Sequence, residues 1–478
     1  MQKVNHEAHA LMRLVAQGQY REAATLAQAM TVSHPKEAFG WKALGVVLKN
    51  LGRSADALAP MKKAVALAPG DAEAHSNLGS ILGDLGRFDE AEASFRRALK
   101  IDPYSAEALY HLGIALNFLG RPDEAAASFR KVLKMKPGFA DAHLNLAGTL
   151  KVLGRMDEAL PQYRSALAAS PSMLAARYGI YATLSTLVPQ WHVPMMNEPR
   201  RNKAYFDALE SAITPKSEVF EIGTGSGLLA MMAAKLGASR VTTCETVPLI
   251  ADAAQHIVAR NGYEGTVKVI PKRSTDIILG EDLPRQADVL VCEIFSSELL
   301  GEHVLPSIED AKRRLLKPGG RVIPAAGSIM VALFGGDDLG RNLKVEDSFG
   351  FELQHFNSIV PDKQTIRRDD LDVEMLSDDT VGFRFDFESG TSCPPESKTL
   401  RIPVTKSGRC HGVIQWIRLQ MDKDVVFENH PSQKSAVSNW QRCAYVFRES
   451  IDVSPGQVVV VSASHNRVIP WFVLERIE

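Results

Sequence analysis

Apolar residues along the first third of the chain fall at spacings of three and four. In residues 70–103, Leu78, Ile81, Leu82 and Leu85 share one face of a predicted helix. Gly86 ends that helix, because a left-handed residue costs glycine least. A second helix is predicted from about Asp89 to Leu99, stopping before Pro103, which cannot continue it. From about residue 216 the texture changes. Ser217–Ile222, Arg240–Cys244 and Asp288–Cys292 read as short buried strands, with Leu228–Leu236 a helix between the first two. Pro324 opens a third texture, in which apolar and polar residues alternate. Val413–Leu419, Cys443–Phe447 and Val458–Ser462 carry it, with turns at Ser407-Gly408 and Pro455-Gly456, so β-strands are predicted there.

The helical pattern repeats every 34 residues. Prolines 35, 69, 103, 137 and 171 keep the beat, as do Ala23, Ala57, Ala91, Ala125 and Ala159. Gly-Arg recurs at 52–53, 86–87, 120–121 and 154–155, and Leu-Gly at 44–45, 78–79 and 112–113. This period resembles the tetratricopeptide repeat, a helix–turn–helix unit. One such pair cannot bury its own apolar face, so the units must stack. Five units are expected over 1–171, the first degenerate, followed by a capping helix and linker over 172–190. A stacked superhelix offers a groove for a protein partner, or a face that packs against its own enzyme.

At 478 residues, two to four domains are expected. The 55 basic and 56 acidic residues are balanced and form no basic block, which argues against nucleic acid as the main partner. No apolar run reaches the length of a membrane span. The N-terminus, MQKVNHEAHALMRL, is amphipathic and lacks the apolar stretch of a signal peptide. Cysteines 244, 292, 393, 410 and 443 are odd in number, scattered and without metal spacing. A reducing, cytoplasmic setting and no metal are the expectation.

Chemistry enters with Gly223-Thr-Gly225-Ser-Gly227 between a strand and a helix. Glycines let a ligand approach the backbone, and the helix start offers free N–H groups. Glu245, 20 residues past Gly225, ends the next strand, where an acid can accept both hydroxyls of a ribose. Gly225-Ser-Gly227-Leu-Leu-Ala230 also fits a loose dinucleotide fingerprint. Three further features resemble the class I methyltransferases instead. They are Glu221 two residues before Gly223, the strand Asp288–Cys292 ending on Glu293, and the turn Leu316-Lys-Pro-Gly-Gly. That resemblance implies S-adenosylmethionine as cofactor, with Glu221 facing its aminoacyl end.

Glu302 follows Glu293 by nine residues, after a loop. In this place the pair resembles the "double-E" loop of the protein arginine methyltransferases, and Glu298 between them is taken as solvated or structural. A guanidinium is planar and always charged, and its nitrogens are poor nucleophiles. Two carboxylates can grip it by bidentate, charge-assisted hydrogen bonds and aim one nitrogen at a methyl donor. The resemblance covers 191–478 and implies further roles. Met195 would lie near the sulfonium, Arg201 on the cofactor carboxylate and Ser274–Thr275 beside the adenine. Ser438-Asn439-Trp440 stands where the family has Thr-His-Trp; Asn439 replaces the histidine that would face Glu198, and Trp440 is kept. An Asn–Glu hydrogen bond cannot relay a proton, so the number of methyls added is left open.

The fold expected is therefore multidomain. An all-α tetratricopeptide solenoid precedes an α/β, Rossmann-like methyltransferase domain over 191–323 and a β-barrel over 324–478. Arginine in a protein or peptide is the implied substrate. Wording such as Lys272-Arg-Ser-Thr-Asp-Ile leans toward the branch with monomethylating members. Divergent members pair two catalytic modules in one chain, whereas this chain has room for one. A homodimer is the corresponding expectation, with an arm inserted within 336–365. Two rivals stand beside this reading: methylation of a small guanidino compound, and an inactive adaptor built on the catalytic fold.

Overall fold

The computed structural model describes residues 2–345, 347–366, 373–390, 392–433 and 440–478. The chain divides into two compact units, Met1–Leu187 and Val188–Glu478.

The first unit is a stack of antiparallel helix pairs. They are α1 and α2 (Gln2–Ala16, Tyr20–Ser33), α3 and α4 (Ala38–Asn50, Ser54–Leu67), α5 and α6 (Ala72–Asp84, Phe88–Ile101), α7 and α8 (Ala106–Phe118, Pro122–Met135), and α9 and α10 (Ala140–Val152, Met156–Ala169). The unit ends on α11 (Leu174–Leu187). Gly86 takes φ +72°, and the Arg87 N–H reaches back to the Leu82 carbonyl at 2.9 Å, which closes α5. In successive pairs a glycine admits a bulky side chain from the following helix: a Cβ on Gly45 would stand 2.7 Å from Met61, on Gly79 2.7 Å from the Phe95 ring and on Gly113 2.7 Å from the Phe129 ring, and Phe129 is fully buried. The Leu-Gly spacing in the sequence is thus the imprint of a large side chain from the following helix. Arginine–glutamate pairs between units, such as Arg96–Glu124 at 3.0 Å and Arg130–Glu158 at 3.1 Å, repeat along the stack.

The second unit begins with α12 (His192–Met196) and α13 (Pro199–Ala212). A five-stranded parallel sheet follows: β1 (Glu218–Ile222), β2 (Arg240–Cys244), β3 (Val267–Ile270), β4 (Ala287–Cys292) and β5 (Leu316–Ile323). Helices α14 (Leu228–Lys235), α15 (Pro248–Arg260) and α16 (Val304–Arg314) connect the strands. The strand order is β3-β2-β1-β4-β5, so the winding reverses between β1 and β4. In such sheets a crevice opens at the carboxyl ends of those two strands. Parallel strands covered on both faces read as continuous apolar runs, and all five residues of β1 are buried.

After Pro324 the chain is antiparallel. It contains β6 (Ala326–Gly335), helix α17 (Asp337–Leu343), β7 (Lys363–Ile366), β8 (Glu374–Met375), β9 (Thr380–Asp386) and β10 (Glu396–Pro403). The later strands are β11 (Gly408–Gln420), β12 (Val426–Glu428), β13 (Arg442–Val453), β14 (Val458–His465) and β15 (Pro470–Ile477). One barrel sheet runs β7-β13-β11-β6-β8, with β9 on β6 and β12 on β11; the other runs β10-β14-β15. Their inward residues share one apolar core with the parallel sheet: Phe383, Ile417, Val459 and Phe472 are continuous with Val289 and Leu305. Among the described residues no helix is long and apolar enough to cross a membrane.

Candidate active site

The register of β1 against β4 sets Glu221 opposite Val291 and Ile222 opposite Cys292. The ends of the two strands are therefore level, and Glu221 and Glu293 meet at the winding reversal. Gly223 follows β1 with φ +85°, and a Cβ there would stand 2.8 Å from Ile294 Cγ2 and 3.3 Å from the Glu293 carbonyl oxygen. Only glycine lets the two strand ends come this close.

Glu221 is completely buried, and neither carboxylate oxygen has a well-formed hydrogen bond within the chain; the Thr243 hydroxyl beside it is shared with Thr224 at 2.6 Å. Burial, the largest cause, and then the charge of Glu245 push its carboxyl up to about 8, although the Thr243 side chain and Arg201 pull the other way. A buried, unpartnered carboxylate is costly unless a cation or donor arrives. Glu245, at the end of β2, accepts from the Gly225 N–H at 3.2 Å and the Val247 N–H at 3.0 Å. Its carboxylate is thereby held against the glycine loop. Gly225 and Gly227 are left-handed, and Gly227 begins α14.

Glu293 is reached from the other side by α13. Arg201 donates from Nη2 to Glu293 Oε2 at 2.9 Å, and both side chains are almost wholly buried. Tyr205, one helical turn on, lies with its ring 5.2 Å from the Arg201 guanidinium and donates its hydroxyl to the Cys292 carbonyl at 2.9 Å. Burial raises the Glu293 carboxyl to about 7 against the pull of Arg201; Glu302 and Glu198 add to the rise. Glu302 sits at the open side of the loop, where partial loss of water and then the charge of Glu245 hold its carboxyl above the ordinary range. Glu198 is buried at the start of α13, and Met195 is buried at the end of α12.

Ser274 and Thr275 form a single helical turn after β3; the Arg314 guanidinium binds their carbonyls at 3.1 and 3.2 Å. Trp440 is buried and donates its indole N–H to the Phe295 carbonyl at 2.7 Å, which ties the glutamate loop to the barrel. Asn439 lies outside the described residues. The structure thus sets Arg201 between Glu221 and Glu293, with Glu245 and Glu302 coupled to one or the other and Glu198 to Glu293, and puts Ser274–Thr275 after the edge strand β3. Three participants were not assigned from the sequence: Tyr205, Arg314 and Lys363, which pairs with Glu298 at 2.5 Å. For Tyr205 a signal existed, since it stands four residues from Arg201 on one helix face. An acidic cluster that holds one arginine is suited to binding cations and to taking up a proton near neutral pH.

Similarity to known proteins follows the same division. Residues 203–330 match the family model described as Ribosomal protein L11 methyltransferase (PrmA). Models of the tetratricopeptide repeat match residues 70–137 and, separately, 11–72 and 110–173. An Arginine N(omega)-methyltransferase of Streptomyces achromogenes subsp. streptozoticus is 32% identical over 275 residues, which are 57% of this chain and 75% of that protein. A Protein arginine N-methyltransferase 7 of Oryza sativa subsp. indica is 29% identical over 313 residues, 58% of this chain. The chain spans 43% of the length of that relative. The structure titled "Trypanosoma brucei PRMT1 enzyme-prozyme heterotetrameric complex with AdoHcy" superposes with a TM-score of 0.51 at 17% identity, covering 61% of this chain and 100% of that one. That likeness is one of fold.

Proposed function

Because the chain belongs to the arginine N-methyltransferase family, we propose that it transfers a methyl group from S-adenosylmethionine to an ω-nitrogen of arginine in a protein or peptide. The observation that carries this reading is the pairing of Glu293 with Glu221 at the winding reversal, the first gripping a guanidinium, the second unpartnered and buried. The residues present fit the methyl donor. Glu221 offers two open acceptor oxygens for an ammonium, and the left-handed glycines 223, 225 and 227 let a ligand reach the backbone. Glu245 would hold the ribose hydroxyls, Arg201 the carboxylate, Met195 would face the sulfonium and Ser274–Thr275 would border the adenine. When bound, S-adenosylmethionine supplies an electrophilic methyl group.

The chain's own residues do the rest. Arg201 already shows that Glu293 accepts a guanidinium from the α13 side. Glu293 and Glu302 would hold the substrate guanidinium between them, fix its plane and keep charge on the nitrogens that are not attacked. Holding the reactants in line is worth about 7–11 kcal/mol in favourable cases. As the methylated nitrogen sheds its proton, a Glu293 oxygen, poised near neutrality, receives it.

Residues 1–171 are read as the recruiting array, 172–190 as cap and linker, 191–323 as the donor domain and 324–478 as the substrate domain. The array would bind a substrate or partner protein and raise its concentration at the site. Homodimerisation would use the segment within 336–365, whose Phe349, Phe351, Phe356 and Ile359 are exposed apolar residues. A reducing cytoplasm suits the five scattered thiols.

Labelled methyl transfer to arginine–glycine-rich proteins, followed by hydrolysis and separation of the amino acids, tests the proposal. Methylarginine from the wild type and none from Glu293→Gln is the expected result, and the ratio of mono- to dimethylarginine reads the effect of Asn439. Label found only in small guanidino compounds, or none at all with cofactor bound, would refute it.

A further inference from the structure

The loop from Glu293 to Glu302 holds a backbone that its own residues disfavour. Leu299, Glu302 and the adjoining His303 have φ of 72°, 58° and 58°. For residues other than glycine such conformations are strained and persist only where the surroundings over-determine them. Leu299 and Leu300 are fully buried, and the Ser296 hydroxyl accepts from the Gly301 N–H at 2.9 Å. The barrel adds three tethers. Trp440 donates to the Phe295 carbonyl at 2.7 Å, the Gln441 N–H donates to Ser297 Oγ at 2.9 Å, and Lys363 Nζ on β7 meets Glu298 Oε2 at 2.5 Å.

The third tether differs from an ordinary surface pair. The side chains of Lys363 and Glu298 are 17% and 25% exposed. The ammonium also lies 5.5 Å from the centre of the Tyr445 ring and 5.6 Å from that of Trp471. The register of β7 against β13 sets Lys363 opposite Tyr445, so the aromatic contact is built into the sheet. Exposed ion pairs are worth little, because two long side chains must be ordered in water. Here the rings already confine the cation and shed part of its hydration. The first two tethers reach the Glu293 side of the loop. Glu298, four residues before Glu302, is the tether nearest the second carboxylate.

We propose that Glu298 and Lys363 are positioning residues whose ion pair sets the place of the Glu302 carboxylate relative to Glu293, without either touching the substrate. This inference rests on the arginine-methylating reading above. Loss of the pair loosens the grip on guanidinium. Donor binding is spared, because Glu221, Glu245 and the glycine loop lie on the other strands.

The test uses the full chain and the variants Lys363→Met, Lys363→Arg, Glu298→Gln and the Lys363→Met/Glu298→Gln double. Both neutralising singles are expected to lower kcat/KM for an arginine–glycine peptide roughly tenfold, mostly through KM. Affinity for S-adenosylhomocysteine, by calorimetry, should stay within about twofold and certifies the fold. Amide hydrogen exchange in the peptide covering 295–303 should quicken in both singles. Lys363→Arg should keep wild-type behaviour, and the double should cost no more than either single, because the two residues act through one another. Wild-type exchange and turnover in Lys363→Met would overturn the proposal. So would an added loss in the double, which would mean that Glu298 meets the substrate itself. A wild type that binds S-adenosylhomocysteine yet methylates no arginine would sink the functional reading instead, while hydrogen exchange would still judge the tether.

Discussion

Replacing Glu221 by glutamine should stabilise the chain and disable it. The carboxyl is fully buried, both oxygens lack partners, and its pKa is raised from 4.5 to about 8. A raised carboxyl pKa means that the folded state keeps a proton the unfolded state has released. The stability this group contributes is therefore complete below about pH 4.5, falls as pH rises through about 8, and is level above that. At pH 7 the folded group is still mostly protonated, so the penalty covers roughly the interval from 4.5 to 7, or about 3 kcal/mol at 1.36 kcal/mol per unit. Glutamine removes the titration and brings in an amide whose own buried donors cost about 1–3 kcal/mol if unmet. The net expectation is a gain of about 1 kcal/mol at pH 7, growing up to about pH 8, level above that and reversed near pH 5. Urea unfolding of the Val188–Glu478 unit at pH 5, 7 and 8.5 reads it. In parallel, S-adenosylhomocysteine affinity by calorimetry should fall by about two to three orders of magnitude, since a buried charge pair broken on one side costs about 3–5 kcal/mol. A stability difference that does not change with pH would refute the reasoning, because it would mean that the native carboxyl is hydrated or paired.

Other consequences are open to measurement. At saturating S-adenosylmethionine, log kcat/KM should fall with unit slope as pH drops below about 7 and level off above it, because burial raises Glu293 and only its anion grips guanidinium; a flat profile from pH 6 to 8 would contradict this. Phe129→Ala should cost the helical array about 3–5 kcal/mol, since the buried ring fills the space opposite Gly113; calorimetry should show one transition lowered and the other unmoved. Phe349→Asp with Phe351→Asp should halve the mass in solution by light scattering if the exposed apolar segment joins two copies; an unchanged mass at micromolar concentration would remove the arm from the account.

Much of this was legible in the sequence because the physics behind it is local. The repeat shows because each Leu-Gly seats one large side chain, Met61, Phe95 or Phe129, which follows at a fixed distance along the chain. Glu221, Gly223 and Glu293 show because they border strands short enough to read as apolar runs, and parallel order brings the ends of β1 and β4 level. Arg201 was expected on a cofactor carboxylate through resemblance; the structure shows it on Glu293, directed there by the helix it shares with Tyr205. Lys363 was illegible. Its role depends on the antiparallel register that sets it against Tyr445, and that register is chosen by the packing of the whole barrel rather than by nearby residues. Glu298 was read as solvated or structural; only its partner across the fold shows what it holds.

The charge balance of the site supplies the remaining argument. Five glutamates and one arginine form a chain of coupled charges, and burial raises three of the acids, so the cluster holds more anionic capacity than its own residues can neutralise. Such a cluster would cost stability in any protein that did not bind cations. Both reactants of the proposed reaction are cationic: a sulfonium with its ammonium, and a guanidinium. Transfer of the methyl group leaves a neutral thioether and a guanidinium of unchanged charge once its extra proton has gone. One positive charge therefore leaves the donor, and one proton must be taken up nearby. Glu293, with its carboxyl near neutrality, is the group in the cluster suited to take that proton; Arg201 can keep a hydrogen bond to it, and the neighbouring glutamates supply the counter-charge it gives up. Once protonated, it no longer pairs with the product guanidinium. The same burial that makes the resting site costly thus weakens the hold on product after each turnover, so product release is tied to the proton rather than to a motion of the fold.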